Sequence, residues 1–198
     1  EVLLISQEDM TCAFYLFRLP KAWCRYFAIG FPIRLSELVG NSRARDASRT
    51  MAGSVPTTGL GYLVLQVLPM GWKSAVGIMQ AIHRRLLSSS LAKGNRLPTA
   101  EEIRKTAPMP PSSDQRTLKG WQVYLDNFAS FLIARIREAE ALEGKASEWH
   151  EKARAAWESW NIPSAADKSV ANAYEAKELG CYIDGRAGTL GTTVQRRL

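Results

Sequence analysis

Apolar and polar positions alternate through Trp121-Gln122-Val123-Tyr124-Leu125, stop at Asp126-Asn127, and apolar residues resume at Phe128, Phe131 and Leu132. Alternation of period two predicts a strand with one buried face. Gly120 suits a turn into that strand. A carboxylate at the tip of a buried strand or hairpin is costly unless a metal ion or an opposite charge meets it. Asp-Asn also suits a plain β-turn with no chemistry, and the hexapeptide alone is compatible with both readings.

The same pattern organises the rest of the chain. Val2 to Ile5 predicts a buried strand leading to Asp9, which equally suits a helix N-cap before Met10–Phe17. Trp23 to Phe31 and Tyr62 to Val67 predict further strands. Leu68-Pro69-Met70-Gly71 predicts a turn, and Ser74 a cap for a helix over Val76–Leu87, where Val76, Ile78, Met79, Ile82, Leu86 and Leu87 recur at helical spacing and His83 falls on an exposed face. Ala129 to about Trp160 predicts a long helical region, kinked or broken at Glu143-Gly144-Lys145 and closed by Asn161-Ile162-Pro163. Lys177 to Ile183 predicts a strand that turns at Asp184-Gly185, with Thr189 to Val194 returning. Two stretches lack periodicity. Pro32–Gly59 and Lys93–Lys119 predict long irregular loops, the second with a short helix at Thr99–Lys105. The expected class is α+β: a small antiparallel sheet carrying Asp9 and Asp126, backed by helices.

Composition narrows the picture modestly. A length of 198 residues suits one domain or two small ones. Twenty-six Lys and Arg against nineteen Asp and Glu give +7, a balance that suits a polyanionic partner such as nucleic acid. Cys12, Cys24 and Cys181 have no metal-ligand spacing, and their odd number argues for a reducing compartment, hence an intracellular setting in cytoplasm or nucleus. With His83 and His150 as the two histidines, a His-rich metal site is not expected. No apolar run approaches the roughly 20 residues that span a bilayer. The first residues lack a signal peptide's basic start, and an opening inside an apolar run without Met suggests a fragment of a longer protein.

Three pieces in this order resemble the palm of a reverse transcriptase of the kind encoded by retrotransposons and retroviruses. They are Asp9 with Phe14 five residues on, Leu68-Pro69-Met70-Gly71-Trp72-Lys73-Ser74 before a helix carrying Gln80, and Tyr124-Leu125-Asp126-Asn127. The last is similar to the family's Tyr-x-Asp-Asp hairpin. Leu179-Gly180-Cys181-Tyr182-Ile183 resembles its primer-grip strand, and Lys168 falls where the family often carries a Lys. The resemblance runs from Asp9 to Gly185.

It implies a palm region of an RNA-directed DNA polymerase, acting on a template-primer and deoxynucleoside triphosphates. Catalysis there uses two Mg²⁺ (or Mn²⁺) ions about 3.5–4 Å apart. By resemblance, Asp9 and Asp126 are the catalytic carboxylates, and Asp9, Asp126 and Asn127 the metal ligands. Met10, Ala13, Phe14, Gly71, Lys73, Gln80 and Lys168 are the expected nucleotide-binding positions, and Leu179 and Gly180 the primer grip. Phe14 takes the place that excludes a 2′-hydroxyl. Asn127 departs from the family, which usually has a second Asp there. Fingers, thumb and any RNase H or integrase part are expected in the parent protein. A non-catalytic nucleic-acid-binding remnant of such a polymerase is the alternative.

Overall fold

The computed structural model describes residues 1–39, 58–110 and 118–192, the side chains of residues 38 and 39 excepted. The fold is mixed α and β, with antiparallel sheets and several helices. The chain divides into two compact units, Phe14–Trp72 and the remainder, Glu1–Ala13 with Lys73–Leu198.

The larger unit is built on four strands in the order β4-β5-β1-β6: β1 Val2–Asp9, β4 Leu118–Tyr124, β5 Asn127–Ala134 and β6 Val170–Ala173. Between them run helix α4, Lys73–Ser88, and helix α6, Glu148–Glu158. The sequence β1-α4-β4-β5-α6-β6 is a split β-α-β-β-α-β arrangement. Strand alternation sorts the side chains. Leu4, Ser6 and Glu8 of β1 share one face, and Gln7 and Asp9 the other. The first face meets the helices. Met79, His83 and Leu87 of α4 and Trp149, His150, Ala153, Ala156 and Trp157 of α6 are buried at helical spacing. Trp157 meets Phe128 edge-on, with ring centroids 6.5 Å apart. Phe128 is fully buried, and truncating such a ring to Ala typically costs about 3–5 kcal/mol.

Several expectations in this unit are corrected. Ala129 to Trp160 is not helical throughout, because β5 runs to Ala134. This strand lies between β4 and β1, and Phe128, Ala129 and Ser130 are buried in succession. A strand covered on both faces reads as a continuous apolar run, without the alternation that marks a half-exposed one. The helices that follow are α5, Ile136–Leu142, and α6, and the break between them contains Gly144 at φ +73°. His83 is not on an exposed face; it is fully buried. Ser74 does not cap α4, which already includes Lys73, and Thr99–Lys105 supplies only a 3₁₀ turn, Thr99–Glu101, before Glu102 bridges to Trp121.

The unit also carries a three-stranded sheet of β7 Glu175–Glu178, β8 Cys181–Asp184 and β9 Thr189–Thr192. The strand expected over Lys177–Ile183 is therefore two strands, folded at Leu179-Gly180, where φ is positive at both residues (+49° and +81°). Positive φ at two successive residues is the pattern of a type I′ hairpin. Gly185 donates to the Tyr174 carbonyl at 2.7 Å, and its own carbonyl accepts from Leu3 N–H at 3.0 Å. A Cβ at Gly185 would run into the Leu3 carbonyl, so only glycine lets β1 and this sheet come so close.

The smaller unit contains α2 Lys21–Cys24, β2 Ala28–Arg34, α3 Leu35–Val39 and β3 Leu60–Val64; α1, Ala13–Leu16, straddles the division. The strand expected over Trp23–Phe31 begins only at Ala28, because a helical turn opens after Pro20, whose φ of −53° suits a helix start. The β2–β3 pairing shifts register between Ile29 and Ile33, around Pro32, which has no N–H to give a ladder. The loop expected over Pro32–Gly59 is structured as far as α3; residues 40–57 lie outside the described residues, as do 111–117 of the second expected loop. Among the described residues no helix is long and apolar enough to cross a membrane.

Candidate active site at the Asp126 hairpin

Tyr124 and Asn127 pair across β4 and β5, leaving Leu125 and Asp126 as a two-residue loop. Leu125 has φ +57°, a conformation few residues without a short polar side chain adopt. Helix α4 holds it there. Gln80 donates through Nε2 to the Val123 carbonyl at 2.7 Å and accepts from Leu125 N–H at 2.8 Å. His83 donates through Nδ1 to the Leu125 carbonyl at 2.7 Å. Three hydrogen bonds from adjacent turns of one helix thus pin the backbone just before Asp126. Backbone strain of this kind persists only where the surroundings over-determine it, and it concentrates at functional sites. Burial pushes the His83 imidazole down to about 4, against the opposing bond to Leu125, so the ring is neutral at pH 7.

The same tip meets the end of β1. Asp9 lies opposite Asn127 in the antiparallel register, and Met10 N–H donates to the Asp126 carbonyl at 3.0 Å. Lys168 Nζ lies 3.2 Å from Asp9 Oδ2. The Asn127 amide, turned so that both its ends have compatible partners, donates its nitrogen to both Asp9 carboxylate oxygens. Lys168 is raised above the ordinary lysine value, first by its hydrogen bond to Asp9, then by the charge of Asp9, with smaller contributions from Asp167 and Asp126. Asp9, Asp126, Asn127 and Lys168 therefore form one cluster on the face of the sheet away from α4 and α6.

Other expected positions fall elsewhere. Met10 and Ala13 are buried, so neither presents a side chain to a ligand. Gln80 spends both ends of its amide on the hairpin backbone and acts as a positioning residue. Lys73 is exposed at the first position of α4. Phe14 and Gly71 belong to the smaller unit; Gly71, at φ +89°, meets the conformational demand of its own turn. Leu179 and Gly180 form the β7–β8 turn, with Leu179 largely exposed.

Three groups escaped the sequence reading. Glu178, one residue before the expected primer grip, is buried beside the cluster. Its carboxylate accepts from Gln7 Nε2 and, at 3.5 Å, from Gln122 Nε2. Burial, with the charge of Asp9, raises its pKa despite these bonds. His83 was missed as a brace because its partner lies 42 residues away. Glu8 was missed although it adjoins Asp9; strand alternation alone assigns it to the opposite face.

The donor set suits a hard divalent ion in kind. Mg²⁺ is commonly held by one or two carboxylates, with substrate phosphates and water completing its shell. Asp9 and Asp126 supply two carboxylates, and Asn127 an amide oxygen if it turns from Asp9. Among the described residues no group of three or more His, Cys, Asp or Glu converges on one point. Lys168 pairs with Asp9 and would have to yield to such an ion. No protein-family model matches the chain, and no curated protein matches it either.

Proposed function

We propose that this chain is the palm region of an RNA-directed DNA polymerase from a retroelement, with nucleic acid and deoxynucleoside triphosphates as its partners. The observation that carries the reading is the meeting of two distant sequence pieces: Asp9 faces Asn127 across β1 and β5, next to Asp126 on a strained, three-bond-clamped tip. The clamp comes from Gln80 and His83 of α4, and Gln80 is one of the residues that carry the resemblance. Asp9 and Asp126 would hold Mg²⁺ or Mn²⁺, which would supply Lewis-acid activation of a primer hydroxyl and charge stabilisation of the leaving pyrophosphate. Lys168, an exposed side chain, pairs with Asp9 in the absence of such an ion.

One observation favours a second reading, the non-catalytic nucleic-acid-binding remnant. Asp9 already has both oxygens engaged by Asn127 and one by Lys168. The two readings separate on metal binding. Mn²⁺ titrated into the chain and followed by electron paramagnetic resonance is expected to bind, and Asp9→Asn or Asp126→Asn to abolish it. Primer extension by the full-length parent protein is expected to depend on the same two residues. Metal binding indifferent to both substitutions removes the polymerase reading. Binding without extension leaves the remnant.

A further inference from the structure

The smaller unit holds a cavity of about 420 Å³ whose walls are four aromatic side chains, Trp23, Tyr26, Phe27 and Trp72. Trp72 is its hub. Trp23 meets it edge-on at 6.0 Å between centroids and 88° between planes, and Phe27 at 5.0 Å and 66°. These rings are not sealed in a core: Trp23 is 44% and Tyr26 70% exposed. The volume falls in the range of roughly 300–1,000 Å³ usual for ligand pockets. An open aromatic cavity is costly in water and marks a binding surface.

Charge identifies what fills it. The unit's sequence carries seven Lys and Arg against Glu37 and Asp46, so +5 of the chain's +7 resides in these 59 residues; the rest has nineteen basic against seventeen acidic. Among the described residues, Arg18, Lys21, Arg25 and Arg34 are exposed. The Arg25 guanidinium already lies over the Tyr26 ring, 5.0 Å from its centroid, and donates to the Tyr26 hydroxyl at 3.1 Å. Aromatic walls by themselves suit a quaternary ammonium as well as a flat base. Arg25 at the Tyr26 wall and the net positive charge of the unit repel the former and attract phosphate. Stacking rings among basic side chains are the arrangement that binds single strands without reading sequence.

We propose that this cavity stacks an unpaired base of a single-stranded nucleic acid, with Arg25 and its basic neighbours on the flanking phosphates. The site goes beyond the polymerase reading and uses none of the residues around Asp9. It is tested on the whole chain with two probes of equal charge: an oligothymidylate of about eight nucleotides and an abasic strand of the same length. The base-bearing strand is expected to bind about tenfold tighter or better. Tyr26→Ala, which removes an exposed ring, and Trp23→Ala are expected to abolish that preference and leave abasic binding intact, while Arg25→Gln weakens both. Circular dichroism confirms the fold of each variant. Equal affinity for the two strands overturns the proposal. So does a preference that survives Tyr26→Ala, or selective binding of a trimethyllysine peptide. Loss of Mn²⁺ binding with the strand preference intact counts against the polymerase reading alone.

Discussion

Glu8 and Asp9 are neighbours on one strand and live in opposite chemical worlds. Glu8 faces the helices with its side chain fully buried. His150 Nε2 donates to it, as do Arg154 at 3.1 Å and Ser169 at 2.9 Å. Burial alone would raise its pKa, but these bonds and the field of His150 together hold it at about 2. Asp9 faces the other way, partly exposed, and its ion-pair partner Lys168 is a long, exposed side chain. One carboxylate is locked into the structure; the other is held by a partner that can leave. A charge that cannot be freed cannot do chemistry, and a charge that can be freed adds little stability. The difference tells which face of the sheet maintains the fold and which is available to a ligand.

Substitution of both carboxylates is the most severe test of this contrast. Glu8→Gln leaves the Arg154 cation and the buried donors around it without their anion, and removing one partner of a buried ion pair typically costs about 3–5 kcal/mol. Because Arg154 keeps some contact with water, the expected loss lies at the lower end. Asp9→Asn should change stability by less than about 1 kcal/mol, as for exposed pairs generally. Urea unfolding of the two variants decides it, and equal losses would erase the distinction between the faces.

Acid sharpens the contrast next. His83 has a folded pKa of about 4 against an ordinary 6.5. Its neutral burial therefore contributes stability that is fully present above 6.5 and is lost as pH falls toward 4, to a total of about 3 kcal/mol at 1.36 kcal/mol per unit. The Glu8 contribution follows at lower pH: present above its ordinary value of 4.5, lost as pH falls toward 2. Two successive losses are expected in a series of urea midpoints against pH. His83→Gln, which keeps a donor for the Leu125 carbonyl but does not titrate, should remove the first loss and keep the second. A single loss, unchanged by that substitution, would show that His83 does not couple the hairpin to protonation.

The brace from α4 is expected to matter somewhat less. Gln80→Ala leaves the Leu125 N–H and the Val123 carbonyl without partners, a change of about 1–3 kcal/mol. It also frees Leu125 from its positive φ. Leu125→Gly tolerates that φ without strain, so the two substitutions together should cost less than their sum. Strict additivity in a double-mutant cycle would mean that Gln80 does not hold the strained turn.

These residues also show what a sequence can and cannot reveal here. The Trp121–Leu125 run disclosed strand β4 because it alternates over one covered face and stops at a polar tip. β5 hid because neighbours on both sides bury it, and an uninterrupted apolar run has no period to read. Helix α4 was legible from spacing. The roles of Gln80 and His83 were not, since a polar residue on an amphipathic helix looks solvated until its partner, 43 or 42 residues away, is placed against it. Glu8 was legible in principle, because alternation from Asp9 puts it on the helix side. What no pattern could supply was the trio His150, Arg154 and Ser169 that makes its burial tolerable.

The smallest expected effect is the most informative about chemistry. Asn127 donates an amide hydrogen bond toward Asp9, and it stands where an acidic residue would complete a third carboxylate. Asn127→Asp replaces that donor with a second negative charge facing Asp9. Without a divalent ion, Lys168 alone opposes two facing carboxylates, so one carboxylate pKa should rise and stability near pH 7 should fall by about 1 kcal/mol. Adding Mg²⁺ or Mn²⁺ should reverse the sign, because a third carboxylate gives the cation a charge that the amide oxygen lacks. The variant is thus expected to be less stable than the parent sequence in chelator and more stable in millimolar Mn²⁺, read as a crossing of two urea midpoints. Equal Mn²⁺ stabilisation of both versions would mean that position 127 does not face the ion. If the crossing occurs, primer extension by the full-length Asn127→Asp protein asks the remaining question. A large gain marks Asn127 as a lost ligand. Equal or lower extension marks it as the neutral partner that keeps Asp9 in place for an ion-exchanging Lys168.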